Sequence, residues 1–273
     1  MNDVAIESIH SAVIATVERA PVLDSLLTRG DQRRLVRAVR DWYIETYAES
    51  VARDGTCVVV TSGPPGAGKS SALGSAVDTG SKLVIDPDIA KEQLARWCVV
   101  EGVYGDLLST VVSDGRPIMP LELSPLLQTL SVETCNATRR TAFDRRMDVV
   151  LEATMASPNY GDRLLKSLAK SDYVEMLVIS VEVDRDTAHR RARQRWWSGR
   201  IENMELGGRL VLPDVIDAAY PPDGAASRCR DNARRLVSEV HSEAGFLRSA
   251  TLLEFHGSTL TGMSAAPLRA VEG

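Results

Sequence analysis

The stretch Gly63-Pro64-Pro65-Gly66-Ala67-Gly68-Lys69-Ser70-Ser71 decides the reading of this chain. It fits the phosphate-loop pattern G-x-x-x-x-G-K-[ST], and its flanks suit that pattern. Before it, Thr56-Cys-Val-Val-Val-Thr61 is a short β-branched run with the character of a buried strand. After it, residues 70–78 form a plausible helix closed by Gly80. Glycines at 63, 66 and 68 permit a tight turn in which successive N–H groups face one anion. The helix N-terminus adds partial positive charge at the same point. Pro64, Pro65, Ala67 and Ser71 complete the loop; Lys69 is placed to reach the β and γ phosphates, and Ser70 to ligate Mg²⁺. The expected ligand is ATP with Mg²⁺.

Working outward, residues 81–88 give a second strand that ends in Asp86 and Asp88, with Pro87 between them and a helix following. In an open α/β sheet, ligands sit beyond the carboxyl ends of the strands, so both acids emerge at the edge that carries the phosphate loop. A carboxylate there can take the proton of a hydroxyl that attacks a γ-phosphate. Asp88 can instead cap the helix that follows, although Lys91 stands where a capping box needs Glu or Gln. A third strand, 147–154, ends in Glu152-Ala-Thr154. Its acid either holds Mg²⁺ in the manner of a Walker-B element, hydrogen-bonds a substrate hydroxyl, or is a plain surface group. The fourth strand covers 174–183, and a last one is expected near 252–256.

Between the last two strands, residues 185–200 hold six arginines, at 185, 190, 191, 193, 195 and 200, with Trp196 and Trp197 among them. One reading is a nucleic-acid patch of cations and stacking indoles. The other is a kinase lid that places guanidinium groups on a γ-phosphate, with Arg190, Arg193 and Arg200 on one helix face. A net charge of −5 favours the lid and weighs against nucleic acid.

Residues 1–53 read as a helical N-terminal extension. Ile6, Ile9, Val13, Ile14 and Val17 trace one stripe, and Leu35, Val36, Val39, Trp42, Tyr43 and Tyr47 trace a second. Arginines at 33, 34, 37 and 40 form a solvated face. Ser124-Pro125 is expected to open a long helix. Residues 54–257 form the kinase domain of this reading, and 258–273 a loose C-terminal tail. The 44% apolar and 25% charged composition suits a soluble protein with a core. Four scattered cysteines suggest reduced thiols, and with no signal-peptide pattern or membrane span the expected compartment is the cytoplasm. The four histidines lack ligand spacing.

The order of these parts resembles the zeta toxin family of bacterial small-molecule kinases. Four pieces carry the resemblance: G-P-P-G-A-G-K-S-S at 63–71, V-I-D-P-D at 84–88, V-V-L-E-A-T at 149–154, and G-R-L-V-L-P at 208–213 after the arginine stretch. It implies a three-layer α/β fold with a mainly parallel sheet and an arginine-rich lid. It also implies ATP/Mg²⁺-dependent phosphorylation of a sugar hydroxyl of UDP-N-acetylglucosamine, which blocks cell-wall synthesis, and an antitoxin protein as a possible partner. By the same resemblance Asp88 is the general base, Glu152 and Thr154 contact the sugar, and Arg193 and Arg209 bind phosphate. Arg190 and Arg191 lie close enough to Arg193 to compete for its role. Ala153 stands where the family often has glycine, and the N-terminal extension is longer than the family core requires. Other acceptors compete within the same chemistry: an antibiotic hydroxyl, a dinucleotide such as NAD, or a polynucleotide end. A nucleotide-gated switch competes from outside it.

Overall fold

The computed structural model describes residues 3–222, 224, 226–243 and 247–265. In chain order the elements are α1 (Asp3–Val17), α2 (Leu23–Leu26), α3 (Arg29–Tyr47), β1 (Cys57–Ser62), α4 (Lys69–Ala76), β2 (Leu83–Ile85), α5 (Pro87–Val100) and α6 (Gly105–Leu108). There follow a 3-10 turn (Pro120–Leu123), α7 (Gln128–Asp144), β3 (Val149–Leu151), α8 (Tyr160–Ala169), β4 (Glu175–Glu182) and α9 (Arg185–Glu202). The last are α10 (Pro213–Asp217), α11 (Arg228–Glu243), β5 (Ser249–His256) and β6 (Thr259–Ala265). Two compact units are interleaved in sequence. One comprises Met1–Trp42, Pro87–Ala137 and His189–Pro213; the other comprises Tyr43–Asp86, Thr138–Ala188 and Asp214–Gly273.

The second unit holds the sheet, in the order β2-β3-β1-β4-β5-β6. All neighbouring pairs are parallel except β5 with β6. Val58, Val59 and Val60 of β1 are buried, as a β-branched run between two covered faces should be. Helices α4 and α11 pack on the strands and α8 packs on α11, in a three-layer α/β fold of the P-loop kinase type. Thr259–Ala265 is a strand rather than a loose tail: Gly257, with φ 61, turns the chain so that Thr259 pairs with His256. Its sequence hides this because an edge strand exposed along almost its whole length needs no apolar alternation. Residues 266–273 lie outside the described residues.

The first unit is helical. Ile9, Val13 and Val17 of α1 are buried in one apolar cluster with Leu94 of α5, Leu127 and Trp196. The extension is therefore part of a core. Leu35, Val36 and Val39 of α3 join the cluster, while Tyr47, further along α3, is exposed. Arg33, Arg34 and Arg37 face solvent as expected. Ser124-Pro125 does not open a helix. The Gln128 N–H bonds back three residues to Pro125 rather than four to Ser124, the Leu126 carbonyl accepts from the Leu23 N–H, and α7 starts at Gln128.

Arg200 corrects another expectation. Its side chain is wholly buried and belongs to no phosphate-facing surface. It grips Asp114 with two bonds, Nε to Oδ2 at 2.8 Å and Nη2 to Oδ1 at 2.9 Å. Nη1 reaches both oxygens of buried Glu122 at 2.8 Å. Trp196 is buried beside it and donates its indole N–H to Glu122 at 2.8 Å, so this ring offers no stacking platform for a base. Among the described residues, no helix is long and apolar enough to cross a membrane, and the four cysteines are free thiols.

Burial alone would raise the Asp114 carboxyl, but the Arg200 bonds and the Arg116 amide outweigh it and hold the group below its ordinary 3.8. A carboxylate depressed in the folded state stabilises above its unfolded pKa and loses that contribution as pH falls through the folded one. Asp114→Asn, which leaves Arg200 paired with Glu122, should cost about 1 to 3 kcal/mol at neutral pH. In thermal unfolding, the gap between wild type and variant should narrow once the pH drops below 3.8.

Candidate functional site

In the sheet unit, the phosphate loop joins β1 to α4. Gly63, Gly66 and Gly68 take φ of 145°, 81° and 95°. Gly66 shows why the loop needs glycine: a Cβ there would collide with the Ala188 carbonyl, and its φ disfavours any L side chain. Lys69 Nζ donates to the carbonyls of Gly63 and Pro64 at 3.0 and 3.1 Å, which curls the ammonium over the loop. Ser70, at the start of α4, directs its hydroxyl to Glu152 at 3.2 and 3.3 Å.

Pairing places Glu152 there. β3 runs parallel to β1 with Val60 opposite Leu151, so the residues after both strands leave the sheet together. Cross-bonds then fix the 152–154 segment. Thr61 Oγ1 accepts from the Ala153 N–H at 3.1 Å, and the Gly63 N–H donates to the Thr154 carbonyl at 3.1 Å. Met155 follows with φ 57, a left-handed conformation unusual outside glycine, and Asn232 Nδ2 donates to its carbonyl at 2.7 Å. Asp86 closes β2, where its N–H donates to the Tyr43 hydroxyl at 3.0 Å, and that hydroxyl donates to the Val84 carbonyl at 2.8 Å. Nothing in the sequence pattern marks Tyr43 for more than packing.

Fit to a nucleotide and metal can be tested on these residues. The loop is a cradle that a side chain at position 66 would fill. A hydroxyl and a carboxylate in contact, Ser70 and Glu152, are the hard oxygen donors that suit Mg²⁺. Both fit.

In the helical unit, Asp88 lies in the first turn of α5. Arg209 meets it with Nη1 at 2.6 Å from Oδ2, both side chains about a quarter exposed. Gly208 makes this possible, because the chain there lies against the Trp196 carbonyl and the Arg200 N–H with no room for a Cβ. Arg193 sits elsewhere in the same unit, 3.4 Å from Glu7 of α1. Arg190, Arg191 and Arg195 are exposed, and Arg185 pairs with Asp217 in the sheet unit. Thus Ser70 meets Glu152 and Asp88 meets Arg209, while Arg193 joins neither pair. Glu122 and Asp114 escaped the sequence reading. Glu122 did leave a signal: it is the one charged residue in the apolar run from Ile118 to Leu127.

The zeta toxin family model matches residues 121–244. That span takes in Glu152, Thr154, Arg193 and Arg209, and leaves the phosphate loop and Asp88 outside. No curated protein sequence matches the chain. Among solved structures, one from the PezAT chromosomal toxin-antitoxin system of Streptococcus pneumoniae superposes with a TM-score of 0.52. It is 11% identical, covering 87% of this chain and 81% of that one. A crystal structure of AvrRxo1-ORF1:-ORF2 with ATP gives a TM-score of 0.56 at 13% identity, covering 85% and 70%. At such identities the likeness concerns the fold. The family model spans less than half of the chain, and the solved structures share with it a fold of the P-loop kinase type.

Gly66→Ala is expected to destabilise the protein by about 1 to 3 kcal/mol, from backbone strain and the clash with Ala188. Denaturant unfolding would measure this. Titration with an ATP analogue should show a parallel loss of nucleotide affinity.

Proposed function

We propose, for a chain whose residues 121–244 match the zeta toxin family, an ATP- and Mg²⁺-dependent kinase that phosphorylates a sugar hydroxyl. The favoured acceptor is UDP-N-acetylglucosamine. The observation that carries this reading is the phosphate loop with Lys69 curled over it and Ser70 in contact with Glu152. Fold alone would not support it, since one fold hosts many functions.

Phosphoryl transfer asks the protein mainly for positioning and charge neutralisation. Loop N–H groups and Lys69 would hold the β and γ phosphates. Ser70 and Glu152 would hold Mg²⁺, which supplies further neutralisation of the phosphate charge when bound. Thr154, fixed by the loop through its backbone, would contact the acceptor together with Glu152 and Asp86. Asp88 would accept the proton from the acceptor hydroxyl as its oxygen bonds to the γ-phosphorus. The bond from that phosphorus to the β–γ bridging oxygen breaks, and ADP leaves. Arg209, which pairs with Asp88 in this structure, would bind phosphate, as would Arg193. In this reading the protein acts in the cytoplasm, where its thiols stay reduced, and its partner is an antitoxin protein.

The test is mass spectrometry of a metabolite panel incubated with the protein, Mg²⁺ and ATP. The panel holds UDP-N-acetylglucosamine, other nucleotide sugars, NAD and an oligonucleotide. One phosphate added to the nucleotide sugar is the expected product. Asp88→Asn should lower turnover by about 10² to 10⁴-fold while leaving ATP-analogue binding in place. Lys69→Ala should lose both. Phosphate on a different acceptor would refute the nucleotide-sugar assignment. Near-normal turnover by Asp88→Asn would remove Asp88 as the base.

A further inference from the structure

We propose that Glu122 and Arg200 are positioning residues for phosphoryl transfer, acting as a buried clamp that sets Arg209 against Asp88. The inference rests on the kinase reading above for its catalytic part, and on geometry within the helical unit for the clamp itself.

The pair is costly to bury. Both side chains have no exposure at all, and removing two charges from water is repaid only if every remaining donor and acceptor is satisfied. Here they are. Besides Arg200, Glu122 accepts from the Met119 N–H at 2.9 Å and from Trp196 Nε1 at 2.8 Å. Besides Asp114 and Glu122, Arg200 donates to the carbonyls of Pro117 and Arg116, each at 3.2 Å. Two packed leucines would fill such a space more cheaply, but dispersion contacts have little direction. The ionic pair fixes the 3-10 turn of residues 120–123 in one register against α9.

The segment that carries Arg209 is held by those same two elements. Leu121, the neighbour of Glu122, bonds it at both ends: its N–H donates to the Leu206 carbonyl at 2.8 Å, and its carbonyl accepts from the Leu210 N–H at 3.3 Å. On the helix side, Gly208 lies against the Trp196 carbonyl and the Arg200 N–H so closely that a Cβ could not be placed. Trp196 and Arg200 are also the two residues of α9 that grip Glu122. The segment 206–210 therefore runs between turn and helix, and the ion pair ties both together.

Arg209 has little else to orient it. Its guanidinium meets Asp88 through Nη1 alone, and its buried Nε has no hydrogen-bond partner. A single end-on contact fixes the guanidinium less firmly than a two-bond fork would, so its aim depends on the backbone that carries it.

The experiment has two readouts on the intact chain. Hydrogen exchange by mass spectrometry compares wild type with Glu122→Gln and Arg200→Lys. The clamp predicts faster exchange over residues 206–210 and unchanged exchange over β1 and the phosphate loop. Unchanged exchange over 206–210 would overturn the clamp whatever the protein's activity. Kinetics supply the second readout. Glu122→Gln should lower kcat about tenfold, with the KM for ATP little altered. In an Arg209→Ala background the same change should have no further effect, because its action runs through Arg209. Gly208→Ala, whose methyl would meet the backbone of Trp196 and Arg200 and leave every charged side chain in place, should repeat the pattern and guards against a Glu122 variant that folds poorly. Losses that simply multiply in the double variants would overturn the positioning role. If wild type phosphorylates no acceptor, the kinase reading fails on its own account and exchange alone decides the clamp.

Discussion

Parallel pairing of β1 with β3 is the constraint on which the phosphate-loop chemistry depends. Parallel strands leave a sheet in the same direction, so the residues after both strands are delivered to one edge. β1 delivers the loop and β3 delivers Glu152 to Thr154. The cross-bonds between Thr61 and Ala153, and between Gly63 and Thr154, turn that shared direction into fixed distances. Register matters as much as direction. A slip of one residue would turn each β1 side chain to the opposite face of the sheet and break both cross-bonds.

The helical unit solves its ordering problem by other means. Among its described residues it has no sheet, and its turns and helices are joined by an apolar cluster and by a buried set of charges. Burial pushes the Glu122 carboxyl up, and the Met119 amide, Arg200 and Trp196 work against that push. Asp114, held by the same guanidinium but nearer the surface, ends below its ordinary value. A single arginine thus faces two carboxylates whose environments pull them in opposite senses. Such an arrangement adds little net stability compared with apolar packing, and its distinctive product is geometry.

The sheet was legible from the sequence because its strands are β-branched runs followed by sharply recognisable chemistry. The phosphate loop, Asp86-Pro-Asp88 and Glu152-Ala-Thr154 each mark the end of a strand. What escaped was decided by contacts remote in sequence. The Leu126 carbonyl accepts from Leu23, over a hundred positions earlier, and no local rule could foresee that Ser124-Pro125 would fail as a helix start. Thr259–Ala265 takes its strand form from β5 rather than from its own composition. The arginine stretch was the hardest case. Helical spacing put Arg190, Arg193 and Arg200 on one face, yet only Arg200 is wholly buried. Spacing identifies which residues share a face; it does not identify which buried carboxylate waits there.

The N-terminal extension shows how magnitude separates two readings that position alone leaves equal. A helical extension of this kind can complete a core or restrain a neighbouring site. Its polar link to the arginine stretch is Glu7 with Arg193, 3.4 Å apart and substantially exposed. Pairs of that kind are worth roughly 0 to 1 kcal/mol. Its apolar link is Ile9, Val13 and Val17, each nearly or wholly buried, and fully burying one such side chain is worth about 1.5 to 3 kcal/mol. Apolar attachment therefore outweighs the ion pair several times over. α1 is held first as a piece of the core, and any influence it has on Arg193 comes from a helix already anchored by packing.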